Sequence, residues 1–243
     1  MHRQHRRERA GHRQSCGSEV GTVGELRLVG YSASPRHGNT EYLVAHALES
    51  AAAEVSRRGF VAVTRLVSFA GRRIEACGGC NACLRSGSYC AVRDDWLELV
   101  SPLLDPVPHG VIMGSPVYGF SLPSGLRAFM ERFTCVLQRV WHPEFPLAVP
   151  DWSRTVAGVV AVGHDRNGGQ EMAMAAMLHF LLMTGFLVVG PGPAHGAYIG
   201  AAGWSGARDA SEGPQTPGAL PAVASDALAL GVTSHLGRRI AAA

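Results

Sequence analysis

Short apolar segments alternate with helix-like segments through most of the chain, and this alternation restricts the fold more than any other feature of the sequence. Each apolar segment has the length of one strand and ends near Gly, Pro or Ser, which is typical of a buried strand followed by a turn. The intervening segments carry apolar residues at helical spacing, as at Leu43, Val44, Ala47 and Leu48. The predicted strands are residues 26–31, 60–67, 109–114, 155–162 and 186–190.

Strands that alternate with helices form βαβ units, so we predict an α/β protein with a parallel sheet. Five strands favour a doubly wound sheet of order 2-1-3-4-5. Residues 68–93 interrupt the alternation after strand 2 and contain four of the six cysteines, which indicates an inserted cysteine-rich loop. A loop rich in Gly, Ala and Pro is predicted over about residues 191–221. Because there is no internal repeat or linker, we expect one domain over residues 25–243.

The net charge of +3 comes from residues 1–24, which hold five arginines and two glutamates. We expect this segment to be a disordered basic tail, and it lacks the apolar stretch of a signal peptide. The rest of the chain is neutral, which argues against a nucleic-acid-binding groove. The longest apolar stretch, residues 172–189, is interrupted by polar residues and glycine, so we expect no membrane span. These features predict a cytoplasmic protein, in which clustered cysteines are metal or redox groups rather than structural disulfides.

The loop after strand 1, residues 32–40 (SASPRHGNT), has the groups that hold a phosphate. Ser32, Ser34 and Thr40 supply hydroxyls, Arg36 supplies a cation, and Gly38 permits close approach to the backbone. A helix begins immediately beyond, and the N–H groups and dipole at a helix N-terminus attract anions. Serine, glycine and asparagine are also common in ordinary strand-to-helix turns, so the loop alone leaves both interpretations open.

Two further loops are expected at the same edge of the sheet, because the carboxyl ends of parallel strands meet there. The loop after strand 3, residues 114–124, carries Tyr118 and Phe120, either of which could cover a planar ring. The loop after strand 4, residues 163–171, is polar and Gly-rich, and His164 in it is a candidate to tune a bound ring or donate a proton. The three loops favour a mononucleotide with a flat ring, since the sequence has neither a Walker motif nor a spaced GxGxxG.

The most specific chemical motif is a set of four cysteines within fourteen residues. Closely spaced thiolates, with Gly78 and Gly79 between them, suit a 4Fe–4S cluster, which takes soft ligands from one compact loop. Zinc also accepts four thiolates, although its sites usually pair CxxC units. Thiols that hold no metal and respond to oxidation are a third interpretation. Cys135 lies in a predicted apolar helix and is interpreted as a small core residue. The four clustered cysteines are Cys77, Cys80, Cys83 and Cys90.

Motifs read in order along the chain resemble the iron-sulfur flavoprotein branch of the NADPH-dependent FMN reductase superfamily, whose fold is flavodoxin-like. The resemblance extends over about residues 26–190. It implies that FMN is bound, and that the cysteine motif holds a 4Fe–4S cluster. The motifs are residues 28–40 (LVGYSASPRHGNT), 77–83 (CGGCNAC), 114–118 (GSPVY) and 166–171 (RNGGQE).

The resemblance and the loop chemistry together define the expected cofactor sites. The predicted phosphate site comprises Ser32, Ser34, Pro35, Arg36, Gly38, Asn39 and Thr40. The predicted isoalloxazine site comprises Ser115, Pro116, Val117, Tyr118, Gly119 and Phe120, with Gly163 and His164 from the loop after strand 4. The predicted metal ligands are Cys77, Cys80, Cys83 and Cys90.

The functional hypothesis is an FMN-dependent oxidoreductase that relays single electrons between a 4Fe–4S cluster and FMN. A ferredoxin-type protein or NAD(P)H would be the electron donor, and a small molecule or protein the acceptor. One alternative is an NAD(P)H-dependent FMN, quinone or nitro reductase without a cluster. Another is a non-catalytic thiol redox sensor or electron carrier. The resemblance also implies a homodimer or homotetramer, and we expect no nucleic-acid or membrane partner.

Overall fold

The computed structural model describes residues 24–140, 142, 144, 149–193, 196–206 and 220–243. The predicted basic tail therefore lies outside the described residues, apart from Gly24. The strands are β1 (Glu25–Ser32), β2 (Val61–Ser68), β3 (Gly110–Pro116), β4 (Val156–Gly163), β5 (Leu187–Val188) and β6 (Ala201–Trp204). The helices are α1 (Asn39–Arg57), α2 (Ala82–Ser86), α3 (Trp96–Leu104), α4 (Ser124–Arg132), α5 (Thr134–Leu137), α6 (Gln170–Met183) and α7 (Ala227–Ala242).

The sheet has the predicted order, β2-β1-β3-β4-β5, and its paired strands run parallel. The α/β flavodoxin-like topology expected from the sequence is thus confirmed. Strands β3 and β4 lie at the centre and are buried along almost their whole length, because helices cover both faces of the sheet. Helices α1 and α7 pack on one face, and α3, α4, α5 and α6 pack on the other. The cysteine-rich loop lies between β2 and α3.

A short sixth strand completes the edge of the sheet beside β4. Strand β5 pairs with only Val156 and Ala157, and the chain then leaves the edge and returns as β6 alongside residues 160–163. The prediction of a loop throughout 191–221 is therefore wrong at residues 201–204. The reason is that the outer part of β4 still needs hydrogen-bond partners, whereas the segment Ala-Ala-Gly-Trp has no β-branched residue to signal a strand.

Within the described part of the chain, none of the helices has the combination of length and apolar character that a membrane span requires.

Candidate functional site

A cleft of about 300 Å³ opens where β1, β3 and β4 end. This is the edge at which a doubly wound sheet binds ligands, because the helices on either side of the switch point diverge there. Three loops form its walls, namely those after β1, β3 and β4, together with the residue that follows β6. The lining residues are Ser34, Arg36, His37, Gly38, Asn39, Thr40, Pro116, Val117, Tyr118, Val162, Gly163, His164 and Ser205.

The first wall is the N-terminal end of α1. Gly38 is the N-cap residue, and its φ of 151° is a conformation that glycine adopts readily and other residues avoid. The first helical hydrogen bond runs from the Tyr42 N–H to the Gly38 carbonyl. The backbone N–H groups of residues 39–41 therefore have no partner within the helix. Because Asn39 and Thr40 line the cleft, these N–H groups form an anion-binding end of the site.

Side-chain hydrogen bonds hold this first loop in shape. The Ser34 hydroxyl donates to the Arg36 carbonyl at 2.6 Å and lies 3.3 Å from the Arg36 N–H. The Asn39 side-chain oxygen accepts a hydrogen bond from the Val223 N–H, which ties the loop to the segment before α7. These contacts fix the entry into α1, while the exposed Arg36 contributes a positive charge to the cleft wall.

The second wall is a tight turn after β3. Tyr118 and Ser121 exchange two backbone hydrogen bonds of 2.9 and 3.0 Å. The two residues between them, Gly119 and Phe120, have φ values of 54° and 62°, as a type I′ turn requires. A non-glycine residue with such a φ is strained. The Phe120 backbone packs so closely against Gly169 that a Cβ atom added at Gly169 would lie 2.8 Å from it. The loops after β3 and β4 thus brace one another.

Five of the predicted flavin residues do not line this cleft. Ser32 and Ser115 are fully buried; the Ser115 hydroxyl donates to the Pro116 carbonyl, and the Ser32 hydroxyl has no hydrogen-bond partner within the described residues. Pro35 lines a smaller neighbouring cavity. Gly119 and Phe120 form the turn, and the Phe120 side chain is 62% exposed.

The structure also adds three lining residues that the sequence interpretation omitted. His37 lies inside the predicted phosphate loop, so its place in the sequence was enough to make it a candidate lining residue. Val162 belongs to β4, and no sequence pattern indicates that the last residues of this strand face the cleft. Ser205 follows the unpredicted strand β6 and donates from its N–H to the Gly163 carbonyl at 3.0 Å.

A second cavity, of about 90 Å³, adjoins the cleft and extends towards the cysteine-rich loop. Tyr118 lines both the cleft and this cavity. Ile74 lines its opposite part, three residues before Cys77. One small cavity therefore borders both the wall of the cleft and the first part of the cysteine-rich loop.

The four motif cysteines line a third cavity, of about 180 Å³. Gly79, with a φ of 61°, turns the loop between the first two cysteines, and Cys83 lies in the short helix α2. The Cys83 thiol donates to the side-chain oxygen of Gln138 at 3.4 Å. Burial raises the pKa of the Cys83 thiol, and its electrostatic interactions with Cys90 and Cys77 act in the same direction, although backbone hydrogen bonds oppose them.

The geometry of this cavity bears on which metal group it fits. Within the described residues, no three Cys, His, Asp or Glu side chains converge on one point as a single ion requires. Instead the four thiols are distributed around a common cavity. Four thiols around one cavity supply the number and kind of ligands that a 4Fe–4S cluster takes. Cys135, interpreted as a core residue, is indeed buried but also lines this cavity.

The fold is that of a flavodoxin-like protein, and the cleft lies at the switch point of its sheet, where proteins of this fold bind ligands. The family model of the NADPH-dependent FMN reductases matches residues 26–197. An iron-sulfur flavoprotein of Archaeoglobus fulgidus is 34% identical over 187 residues, which is 76% of this chain and 85% of that protein. The chain therefore belongs to the NADPH-dependent FMN reductase family, in the branch of the iron-sulfur flavoproteins, as its motifs predict.

Further comparisons agree with this assignment. An iron-sulfur flavoprotein of Methanocaldococcus jannaschii is 34% identical over 68% of this chain and 76% of its own length. The solved structure of a flavone reductase has a TM-score of 0.57 at 15% identity, over 89% of this chain and 62% of its own, and supports the fold alone. Family membership makes the protein a flavin-dependent oxidoreductase that uses FMN.

The cleft has the features that FMN requires. Its volume lies at the lower end of the range for small-molecule sites, roughly 300–1,000 Å³. One wall offers unpartnered helix N–H groups and the Arg36 cation for a phosphate. The other offers the Tyr118 ring for a planar heterocycle.

Proposed function

We propose that the protein relays single electrons between FMN in the cleft and a 4Fe–4S cluster held by Cys77, Cys80, Cys83 and Cys90. The observation that carries the proposal is the small cavity next to the cleft, which is lined both by Tyr118 of the cleft wall and by Ile74, three residues before Cys77. The names of the relatives, which are iron-sulfur flavoproteins, support the presence of a cluster.

The chain's own residues bind and orient the flavin. The N–H groups of residues 39–41 and the Arg36 guanidinium hold the phosphate, while the Ser34 hydroxyl keeps the loop in its binding conformation. Pro116, Val117 and Tyr118, which line the cleft, would hold the isoalloxazine ring. His164, at the end of β4, is positioned in the cleft wall to exchange a proton with the ring or with a substrate.

The two cofactors supply complementary chemistry when bound, because FMN accepts one or two electrons and a 4Fe–4S cluster accepts one. The cysteine loop must present four deprotonated thiols at the cavity, since thiolates and not thiols ligate iron. The partners are an electron donor and an electron acceptor.

We also propose a homodimer or homotetramer. The proposal is supported by the exposed apolar side chains Met172, Leu182 and Met183 of α6. A monomer in light scattering would contradict it.

The relay is tested with the wild-type protein under anaerobic conditions. We expect a reduced ferredoxin, which delivers single electrons, to bleach the visible absorbance of the bound FMN in a stopped-flow experiment. NADPH serves as the comparison donor. Rapid bleaching by NADPH with none by ferredoxin would contradict the relay and favour the alternative, a hydride-accepting flavin reductase without a cluster.

The phosphate site is tested by replacing Gly38 with valine. The substitution strains the N-cap by about 1–3 kcal/mol and displaces the N–H groups that follow it, so we expect FMN to bind about 5- to 150-fold more weakly. Gly59→Val is the matched control, because Gly59 also has a positive φ, of 84°, but lies beyond the other end of α1. Equal FMN affinities of the two variants, measured by fluorescence titration of apoprotein, would contradict this placement of the phosphate.

A further inference from the structure

A buried cation borders the cysteine cavity. Arg132, the last residue of α4, is only 2% exposed. Among the described residues that line the cavity, it is the one with a charged side chain; the others are cysteines and neutral residues. A buried guanidinium is costly unless it meets negative charge, so its position calls for an explanation.

Part of the explanation is that Arg132 closes the base of the cysteine loop. Its Nη1 donates to the Glu75 carbonyl at 3.3 Å, and its Nη2 donates to the Val92 carbonyl at 3.4 Å. These carbonyls lie two residues before Cys77 and two residues after Cys90. The guanidinium also pairs with the buried Asp94 carboxylate and lies 5.0 Å from the centre of the Trp96 ring. One side chain thus joins both ends of the loop.

Besides these contacts, Arg132 lines the cavity that the four motif cysteines surround. Its Nε lacks a hydrogen-bond partner within the described part of the chain, although it is buried. A 4Fe–4S cluster with four thiolates is a net anion and gains another negative charge on reduction, so a cation at this point stabilises the reduced form.

We propose that Arg132 is a positioning residue that closes the cysteine loop and holds a buried positive charge in the wall of the cysteine cavity, which raises the reduction potential of the cluster. This inference rests on the proposed function, because it requires the four cysteines to hold the cluster.

The test compares Arg132→Gln with Arg132→Lys in the iron-loaded protein. Both substitutions remove the planar fork that reaches Glu75 and Val92, but only lysine keeps the charge. We expect the equilibrium constant for one-electron reduction of the cluster to fall at least tenfold in Arg132→Gln, or about 59 mV. The reduction potential of the cluster in the lysine variant should stay closer to the wild-type value. The measurement is a redox titration in which electron paramagnetic resonance monitors the reduced cluster.

Arg73→Gln is the control, because Arg73 is an exposed arginine that pairs with Glu75 on the same loop and should leave the potential unchanged. Equal shifts in the glutamine and lysine variants would overturn the electrostatic role. If Arg132→Gln holds no iron, the lysine variant decides: iron at a near-wild-type potential supports the electrostatic role, and iron at a potential lowered by about 59 mV or more overturns it. Wild-type protein without iron would overturn the proposed cluster as well, whereas normal iron with an unmoved potential overturns the role of Arg132 alone.

Discussion

Replacing Cys80 with alanine is expected to remove iron and acid-labile sulfide from the anaerobically purified protein and to leave its FMN in place. A 4Fe–4S cluster needs a thiolate at each corner, and Cys80 lines the cavity together with the other three motif cysteines. Iron should fall from about four atoms per chain to nearly none. The flavin should remain because Cys80 does not line the nucleotide cleft. Iron, sulfide and flavin analyses of the same sample measure both effects.

Cys135 provides the matched control for this experiment. It lines the same cavity from α5 but lies outside the spaced motif, so we expect Cys135→Ala to keep its iron. Full iron in Cys80→Ala, or equal iron loss in the two variants, would contradict the assignment of ligands. Zinc in place of iron in the wild-type protein would contradict the cluster itself.

Replacing Asp94 with alanine is expected to lower the free energy of unfolding by about 3–5 kcal/mol at neutral pH, because it leaves the Arg132 guanidinium buried without a counter-charge. The Asp94 side chain is fully buried and accepts hydrogen bonds from Arg132 and from the N–H groups of Glu75 and Trp96. Urea unfolding measures the loss.

Glu98→Ala is the control for the Asp94 substitution. Glu98 forms an ion pair with Arg72 on the surface, where its side chain is 58% exposed. Such exposed pairs contribute about 0–1 kcal/mol. If Asp94→Ala costs no more than Glu98→Ala, the buried pair does not stabilise the base of the cysteine loop.

The contribution of Asp94 also depends on pH in a defined direction. Burial acts to raise the pKa of this carboxyl, but the hydrogen bonds from Arg132, Glu75 and Trp96 outweigh it and hold the pKa below its usual value. Stabilisation is therefore complete above the unfolded-state pKa of aspartate, about 3.9, and is lost as the pH falls through the lower folded-state pKa. The stability difference between wild type and Asp94→Ala should shrink only in that acidic range.

The sequence was sufficient to predict the sheet because each of its central strands is an apolar run that ends in a turn. Strand β6 could not be predicted in this way, since Ala201–Trp204 becomes a strand only through the open edge of β4. For the same reason, Ser205, which directly follows β6, is absent from the predicted site. Loop residues such as Gly38 and Tyr118 were accessible to sequence reasoning because parallel strands bring their carboxyl ends to one edge.

The cysteine motif shows which part of the candidate metal site the sequence could not predict. Its spacing identifies four candidate ligands, but nothing local indicates Arg132, which is 38 residues from Asp94 in the sequence. Their pairing arises only when α4 packs against the end of the loop. A buried charge pair of this kind is a tertiary property, so the place of Arg132 beside the cysteine loop could not be predicted from the sequence.

The most direct test of the account is the cofactor content of the wild-type protein purified without oxygen. We predict about one FMN and about four iron and four sulfide per chain, with flavin and cluster absorbance in one spectrum. Protein that binds no FMN, even after incubation with excess cofactor, would contradict the central claim.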